Sequence, residues 1–172
     1  WYDDTGLKWV NPSPNLRSLT QAILYPGVAL VEGSNVSVGR GTDTPFEVFG
    51  APWINAKELA KYLEERGIKG ARFSPVSFTP SNSIYKNRTC NGVKVTITDR
   101  QALDSTFLGI EIITALYRLY SEKFQLDKTL GLIGSREVLQ SIKEGRDPKS
   151  IALNWQPSLE QFLKLREKYL LY

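Results

Sequence analysis

The sequence predicts one α/β or α+β domain in which helices pack on a mixed sheet. Three observations predict it. Several segments repeat apolar residues at helical spacing, among them Leu108, Ile112, Ala115, Leu116 and Leu119. Val93-Lys94-Val95-Thr96-Ile97-Thr98 alternates and is rich in β-branched residues, the pattern of a half-buried strand. Helical and strand patterns interleave along the early chain, with no internal repeat, low-complexity tract or linker.

The elements follow in order. Prolines 12 and 14 hold the first stretch extended, because a residue before proline is pushed away from helix. Asn15 then caps a helix over roughly 16–25 that Pro26-Gly27 ends. Val28-Ala29-Leu30-Val31, a continuous apolar run, reads as a strand buried on both faces. A polar loop leads to a second strand at Phe46 to Phe49. Asn55 and Glu58 start a helix in capping-box fashion, and Gly67 stops it. Residues 71–79 and 93–98 read as strands, with a polar loop between them. Helices follow over about 104–121, about 135–144, and from Ser158 onward, the last opened by Pro157.

Composition bounds the function. The 172 residues are 41% hydrophobic and 23% charged, ordinary globular values that suit a single domain over 1–172. No apolar run approaches the roughly 20 residues of a membrane helix, so no membrane span is expected. The net charge of +4 is scattered along helical patterns, not gathered into a basic stripe, so no nucleic-acid partner is expected. There is no histidine and a single cysteine, Cys90. A Ser-His-Asp or Cys-His nucleophile cannot be assembled from these residues, and neither a metal site nor a cofactor is expected. The chain opens Trp1-Tyr2-Asp3-Asp4, without methionine or a signal peptide, and reads as a fragment or processed product.

The informative segment is residues 32–47. It carries Glu32 and Glu47 at its ends, Asp43 between them, and Arg40 flanked by Gly39 and Gly41. Glycines allow close backbone approach to a ligand, and a guanidinium is a rigid fork of donors matched to a carboxylate or phosphate. That combination suits a loop handling a polar, anionic, sugar-like molecule. The same residues also suit a surface loop in which Arg40 pairs with Asp43 or Glu47. A second candidate is Asn11-Pro12-Ser13-Pro14-Asn15, where the prolines would fix Asn11 and Ser13 as hydrogen-bonding groups. Trp9, Trp53, Phe46 and Phe49 are aromatic enough to stack on a sugar, or simply to fill the core.

Taken in order, these stretches resemble the DUF1343 proteins, which include exo-acting β-N-acetylmuramidases of bacterial peptidoglycan recycling. The resemblance rests on Asn11-Pro12-Ser13-Pro14-Asn15, Glu32-Gly33-Ser34-Asn35-Val36-Ser37, Gly39-Arg40-Gly41-Thr42, Pro45-Phe46-Glu47, Gly50-Ala51-Pro52-Trp53, Thr98-Asp99-Arg100 and the closing Tyr169-Leu170-Leu171-Tyr172. It implies the C-terminal half of a two-domain glycoside hydrolase whose N-terminal Rossmann-like half is absent here. It also implies a periplasmic or extracellular location, and a muropeptide or other peptidoglycan-derived sugar as ligand. Under it, Arg40 would read the lactyl carboxylate of muramic acid. Asn11, Ser13, Asn35 and Thr42 would bond the sugar, helped by Gly39, Gly41 and Asp43. Glu32 and Glu47 would be the candidate catalytic carboxylates, since glycoside hydrolysis uses paired carboxyl groups. A non-catalytic carbohydrate-binding module is the alternative. The chain departs from the resembled pattern at Val38, where that pattern has Glu, and at Ser83-Ile84-Tyr85-Lys86, where it has an aromatic-His-Lys stretch.

Overall fold

A computed structural model describes residues 1–171; Tyr172, the last residue of the resembling stretches, lies outside them. The described residues form three strands and six α-helices: α1 (Leu19–Val28), β1 (Val48–Ala51), α2 (Ala56–Glu65), β2 (Ala71–Phe78), β3 (Cys90–Ile97), α3 (Ser105–Tyr120), α4 (Leu130–Ile133), α5 (Arg136–Lys143) and α6 (Pro148–Arg166). Helices packed on a sheet is the class the sequence predicts. The sheet is antiparallel throughout, in the order β1-β3-β2. Since β1 and β2 both run against β3, they run parallel to each other, and α2 makes the crossover between them.

One face of the sheet packs on the helices and the other meets water. In β2, Ala71 and Phe73 point into the core while Arg72 and Ser74 are exposed. In β3, Val93 and Val95 are buried while Lys94 and Thr96 are not. Beyond β2 there is no further strand among the described residues. The Phe73 amide donates to the Glu64 carboxylate of α2, and Pro75 stands two residues further along the strand.

Several boundaries differ from the sequence reading. The run 28–31 is not a strand: α1 continues to Val28 and a 3-10 turn takes Ala29–Val31. Val28 and Val31 are fully buried, and a short run that is apolar on all sides does not distinguish helix from strand. The cap of α1 is Ser18, whose side chain accepts from the Gln21 amide, not Asn15. Pro26 lies inside α1 and Pro157 inside α6, so neither ends or opens a helix. The cap of α6 is Asp147, ten residues before the expected start, with Pro148 in its first turn. The Asn55 cap falls where the pattern puts it, and the helices expected from about 104 and 135 start at the caps Asp104 and Ser135. Arg100 holds Asp3, at 2.6 Å, and Asp4 of the first segment.

Two constraints assemble the helical layer. Where α1 crosses α3, both helices present glycine. A Cβ on Gly27 would lie 1.9 Å from the Ser105 carbonyl oxygen, and one on Gly109 would lie 2.6 Å from that of Gly27. The second is an ion cluster. Glu111 of α3 is only 1% exposed, and Arg66 at the end of α2 holds it with two bonds of 2.8 and 2.9 Å. The same guanidinium reaches Asp147, the α6 cap, at 2.9 Å. Burial pushes the Asp147 carboxyl up, but the Lys149 amide and Arg66 together hold it below the usual carboxylate range.

Gly109→Ala is expected to cost roughly 1–3 kcal/mol through overpacking, seen as a lowered urea midpoint with an unchanged slope. Arg66→Leu is expected to cost more, about 3–5 kcal/mol, because it strands a desolvated carboxylate. A calorimetric melting temperature equal to the parent's would disprove the role given to Arg66.

Candidate functional site

Residues 32–47 emerge from the helical end of α1, not from a strand, so the expectation of a ligand loop beyond a strand end does not apply here. The loop is nevertheless fastened to the sheet. Ser37 and Gly50 exchange both backbone bonds, each 2.8 Å, so this part of the loop pairs along β1. Val36 and Val38 are 1% and 2% exposed. Val38, where the resembled pattern has Glu, is thus committed to core packing.

The turn after Val38 demands glycine. Gly39 has φ +76°, and a Cβ there would meet the Val48 side chain at 2.7 Å and the Thr44 carbonyl oxygen at 2.9 Å. Gly41 has φ +81°, and its Cβ would fall 2.6 Å from the Asn82 backbone nitrogen. That closeness serves a join: the Gly41 carbonyl accepts from both the amide and the hydroxyl of Ser81, at 2.8 Å each. The loop is thereby tied to the β2–β3 connection, itself unusual. Ser83, Tyr85 and Asn87 all have positive φ, as does buried Phe46 at φ 64°. Left-handed backbone at a non-glycine residue costs on the order of 1–2 kcal/mol and persists only where surrounding structure enforces it.

The charged residues are mostly spoken for. Arg40 pairs with Glu32, not with Asp43 or Glu47. Its Nε donates to one carboxylate oxygen, and its Nη2 donates to the other at 2.9 Å. The guanidinium also lies 5.1 Å from the Phe46 ring centroid, and Tyr25 meets that ring edge-on at 4.9 Å. The bond to Glu32 raises the Arg40 guanidinium above its ordinary pKa, against the opposing effect of burial. Glu47 accepts from the Gln21 amide group at 3.1 Å, and Gln21 accepts from the Arg17 backbone amide at 2.7 Å.

The other expected ligand residues take varied places. Asn35 is engaged with backbone: its side chain donates to the Lys123 carbonyl at 2.8 Å and accepts from the Gln125 amide at 3.0 Å. Ser13 accepts from the Asn15 amide at 3.3 Å and shapes a turn. Asn11 is exposed. Phe46 and Phe49 are core, Trp53 meets Tyr120 edge-on, and Trp9 meets Tyr2 edge-on. Cys90 is fully buried, and burial pushes its thiol up to about 11, so it is no thiolate at neutral pH.

Three segments distant in sequence close around a polar cleft of about 550 Å³. Pro14, Asn15 and Arg17 form one side, and Gly41, Thr42 and Asp43 the second. The third is Phe78, Thr79, Ser81 and Asn82, from the β2–β3 connection. Gly41, Thr42 and Asp43 are the expected site residues that line it; Glu32, Glu47, Arg40, Asn11, Ser13, Asn35 and Gly39 do not. Arg17 and the residues 78–82 escaped the sequence reading. The available signal was Thr79-Pro80-Ser81-Asn82, a run of hydroxyl, turn and amide residues. Arg17 donates its Nη2 to the Thr42 carbonyl at 2.7 Å, while its Nη1 is 4.0 Å from the exposed Asp43 carboxylate. The cleft thus offers hydroxyls, amides, one guanidinium, one carboxylate and an aromatic ring, the equipment for holding a polar ring compound. Among the described residues no group of three or more His, Cys, Asp or Glu side chains is placed to hold a metal ion. No helix among them is long and apolar enough to cross a membrane.

A split crossover on an antiparallel sheet, with a glycine-turned loop fastened to β1, defines a class of domain already seen in crystals. The chain superposes on a DUF1343 family protein from Bacteroides fragilis NCTC 9343 with a TM-score of 0.89 and 26% identity, over 99% of this chain and 47% of that one. A second DUF1343 protein from the same organism gives 0.70 and 28%, over 94% and 43%. Sequence narrows the class: residues 23–172 match the family described as exo-beta-N-acetylmuramidase NamZ, C-terminal, and the chain belongs to that family. It is also similar to the peptidoglycan beta-N-acetylmuramidase NamZ of Bacillus subtilis (strain 168), at 37% identity over 99% of this chain and 42% of that protein. The chain spans less than half the length of each of these relatives.

Gly41→Ala is expected to loosen the join to Ser81, because the new Cβ must displace backbone at residue 82. Amide hydrogen exchange at Ser81 is the measurement, and faster exchange there with unchanged protection in β3 is the expected outcome.

Proposed function

We propose that this chain is the saccharide-holding C-terminal domain of a peptidoglycan-cleaving β-N-acetylmuramidase, working outside the cytoplasmic membrane with an N-terminal domain of the same protein. Its ligand is a peptidoglycan-derived sugar. The observation that carries the reading is the cleft: segments of a NamZ-family chain that are far apart in sequence converge on a polar hollow with an aromatic margin.

The distribution of acids shapes the proposed division of labour. Glycoside hydrolysis ordinarily sets two carboxyl groups across the bond, one as acid and one as base or nucleophile. Asp43 is the one carboxylate lining the cleft among the described residues. Glu32 is locked to Arg40 and Glu47 accepts from Gln21, so both serve to brace the loop in this arrangement. Bond cleavage therefore draws on carboxyl groups beyond this chain. A carbohydrate-binding module with no share in catalysis is the second reading, favoured by that single lining carboxylate.

A β-linked N-acetylmuramic acid–N-acetylglucosamine disaccharide, followed by two-dimensional amide NMR, tests the proposal. Perturbations gathered at residues 14–17, 41–43 and 78–82, with the disaccharide intact, are expected. Hydrolysis by this chain alone would overturn the division of labour. Silence throughout those segments would overturn the placement of the sugar.

A further inference from the structure

Resting on that reading of the cleft as a saccharide site, we infer that Arg17, not Arg40, is the residue that reads the sugar's carboxylate and so sets specificity for an acid-bearing sugar. An N-acetylmuramic acid differs from N-acetylglucosamine by a lactyl ether ending in a carboxylate. A fork of guanidinium donors is the side chain best matched to that group.

The two arginines of this region stand in opposite states. Arg40 has spent its fork: two donors sit on the two oxygens of Glu32, and the plane lies over Phe46. A sugar carboxylate would have to displace a bidentate partner that is itself part-buried, with side chains 28% and 32% exposed. Arg17 has spent one of its five N–H donors, on the Thr42 carbonyl. That bond holds the guanidinium at the cleft without neutralising it. Its nearest acid, Asp43, is 4.0 Å away, beyond hydrogen-bond reach, and its side chain is fully exposed. Among the described residues Arg17 is also the one cation that lines the cleft.

Asp43 then takes a definite part. It is the resident anion whose weak hold on Arg17 a carboxylate ligand replaces, and it repels that ligand until it swings away. Its removal should therefore help an acidic sugar and leave a neutral one unaffected. Opposite signs at Arg17 and Asp43 are what this arrangement requires and a merely structural role would not produce.

The test is titration of N-acetylmuramic acid and N-acetylglucosamine into the chain and into Arg17→Gln, Asp43→Asn and Arg40→Gln, read by amide shifts at residues 41–43 and 78–82. The parent should bind the acidic sugar more tightly. Arg17→Gln should lose about tenfold for the acidic sugar and little for the neutral one, the size of a lost charge-assisted bond. Asp43→Asn, which keeps the Arg17 bond to Thr42, should gain for the acidic sugar alone. Preference for the acidic sugar that survives Arg17→Gln but vanishes in Arg40→Gln would overturn the inference while the saccharide reading stands. Equal losses for both sugars in Arg17→Gln, or no gain in Asp43→Asn, would also overturn it. If neither sugar binds the parent cleft, the saccharide reading fails and the inference with it.

Discussion

Glu111 is a carboxylate almost without access to water, and the helical layer is arranged around its need for a partner. An isolated ion in such a place costs several kcal/mol, so it is tolerated only with close and well-aligned countercharge. Arg66 supplies that charge from the end of α2 and extends it to Asp147 at the start of α6. Three helices are thereby fixed at one point. With α3 held, Gly109 offers α1 a flat surface against which Gly27 can rest, backbone on backbone. The place where α1 ends is then settled, and with it the origin of residues 32–47.

From that origin the loop is held by many small agreements. It pairs with β1 at Ser37 and Gly50, turns at Gly39 and Gly41, and hangs on Ser81. Buried Phe46 keeps a left-handed backbone that an exposed residue would relax. The Arg40–Glu32 pair is part-exposed, so its value lies in geometry more than in raw energy, fixing the direction in which the loop leaves the helix. Left-handed backbone at Ser83, Tyr85 and Asn87 lies in the same β2–β3 connection whose residues 78, 79, 81 and 82 line the hollow.

Much of this was legible in the residues and some was not. Asn55 and Ser135 announce their helices because capping is chemistry of a few adjacent atoms. The alternation from Val93 is equally local. Pro26 and Pro157 mislead for a physical reason: proline breaks the local bonding of a helix, yet its fixed φ is helical, and contacts elsewhere can carry the helix through it. The run 28–31 is apolar at every position, so its periodicity says nothing. At the site, Gly39-Arg40-Gly41 correctly flags a turn that must be tight. Which acid Arg40 takes is a matter of distance across the fold, and Glu32, eight residues back, is indistinguishable in sequence from Asp43 or Glu47. Arg17 joins Thr42 across 25 residues of chain, and one sequence does not display which backbone carbonyl a guanidinium reaches.

The bonds along β2 bear on how the molecule behaves among its own copies. On an antiparallel edge strand, outward amides fall on alternate residues, and these are the sockets into which a foreign strand would plug. Phe73 and Pro75 share that alternation. The first has its hydrogen occupied by Glu64, and the second has none to give. Two neighbouring sockets are thus blank on the exposed flank of the sheet. Extension of the ladder past β2 is thereby weakened at these two positions, which disfavours edge-to-edge stacking of crowded molecules through this strand.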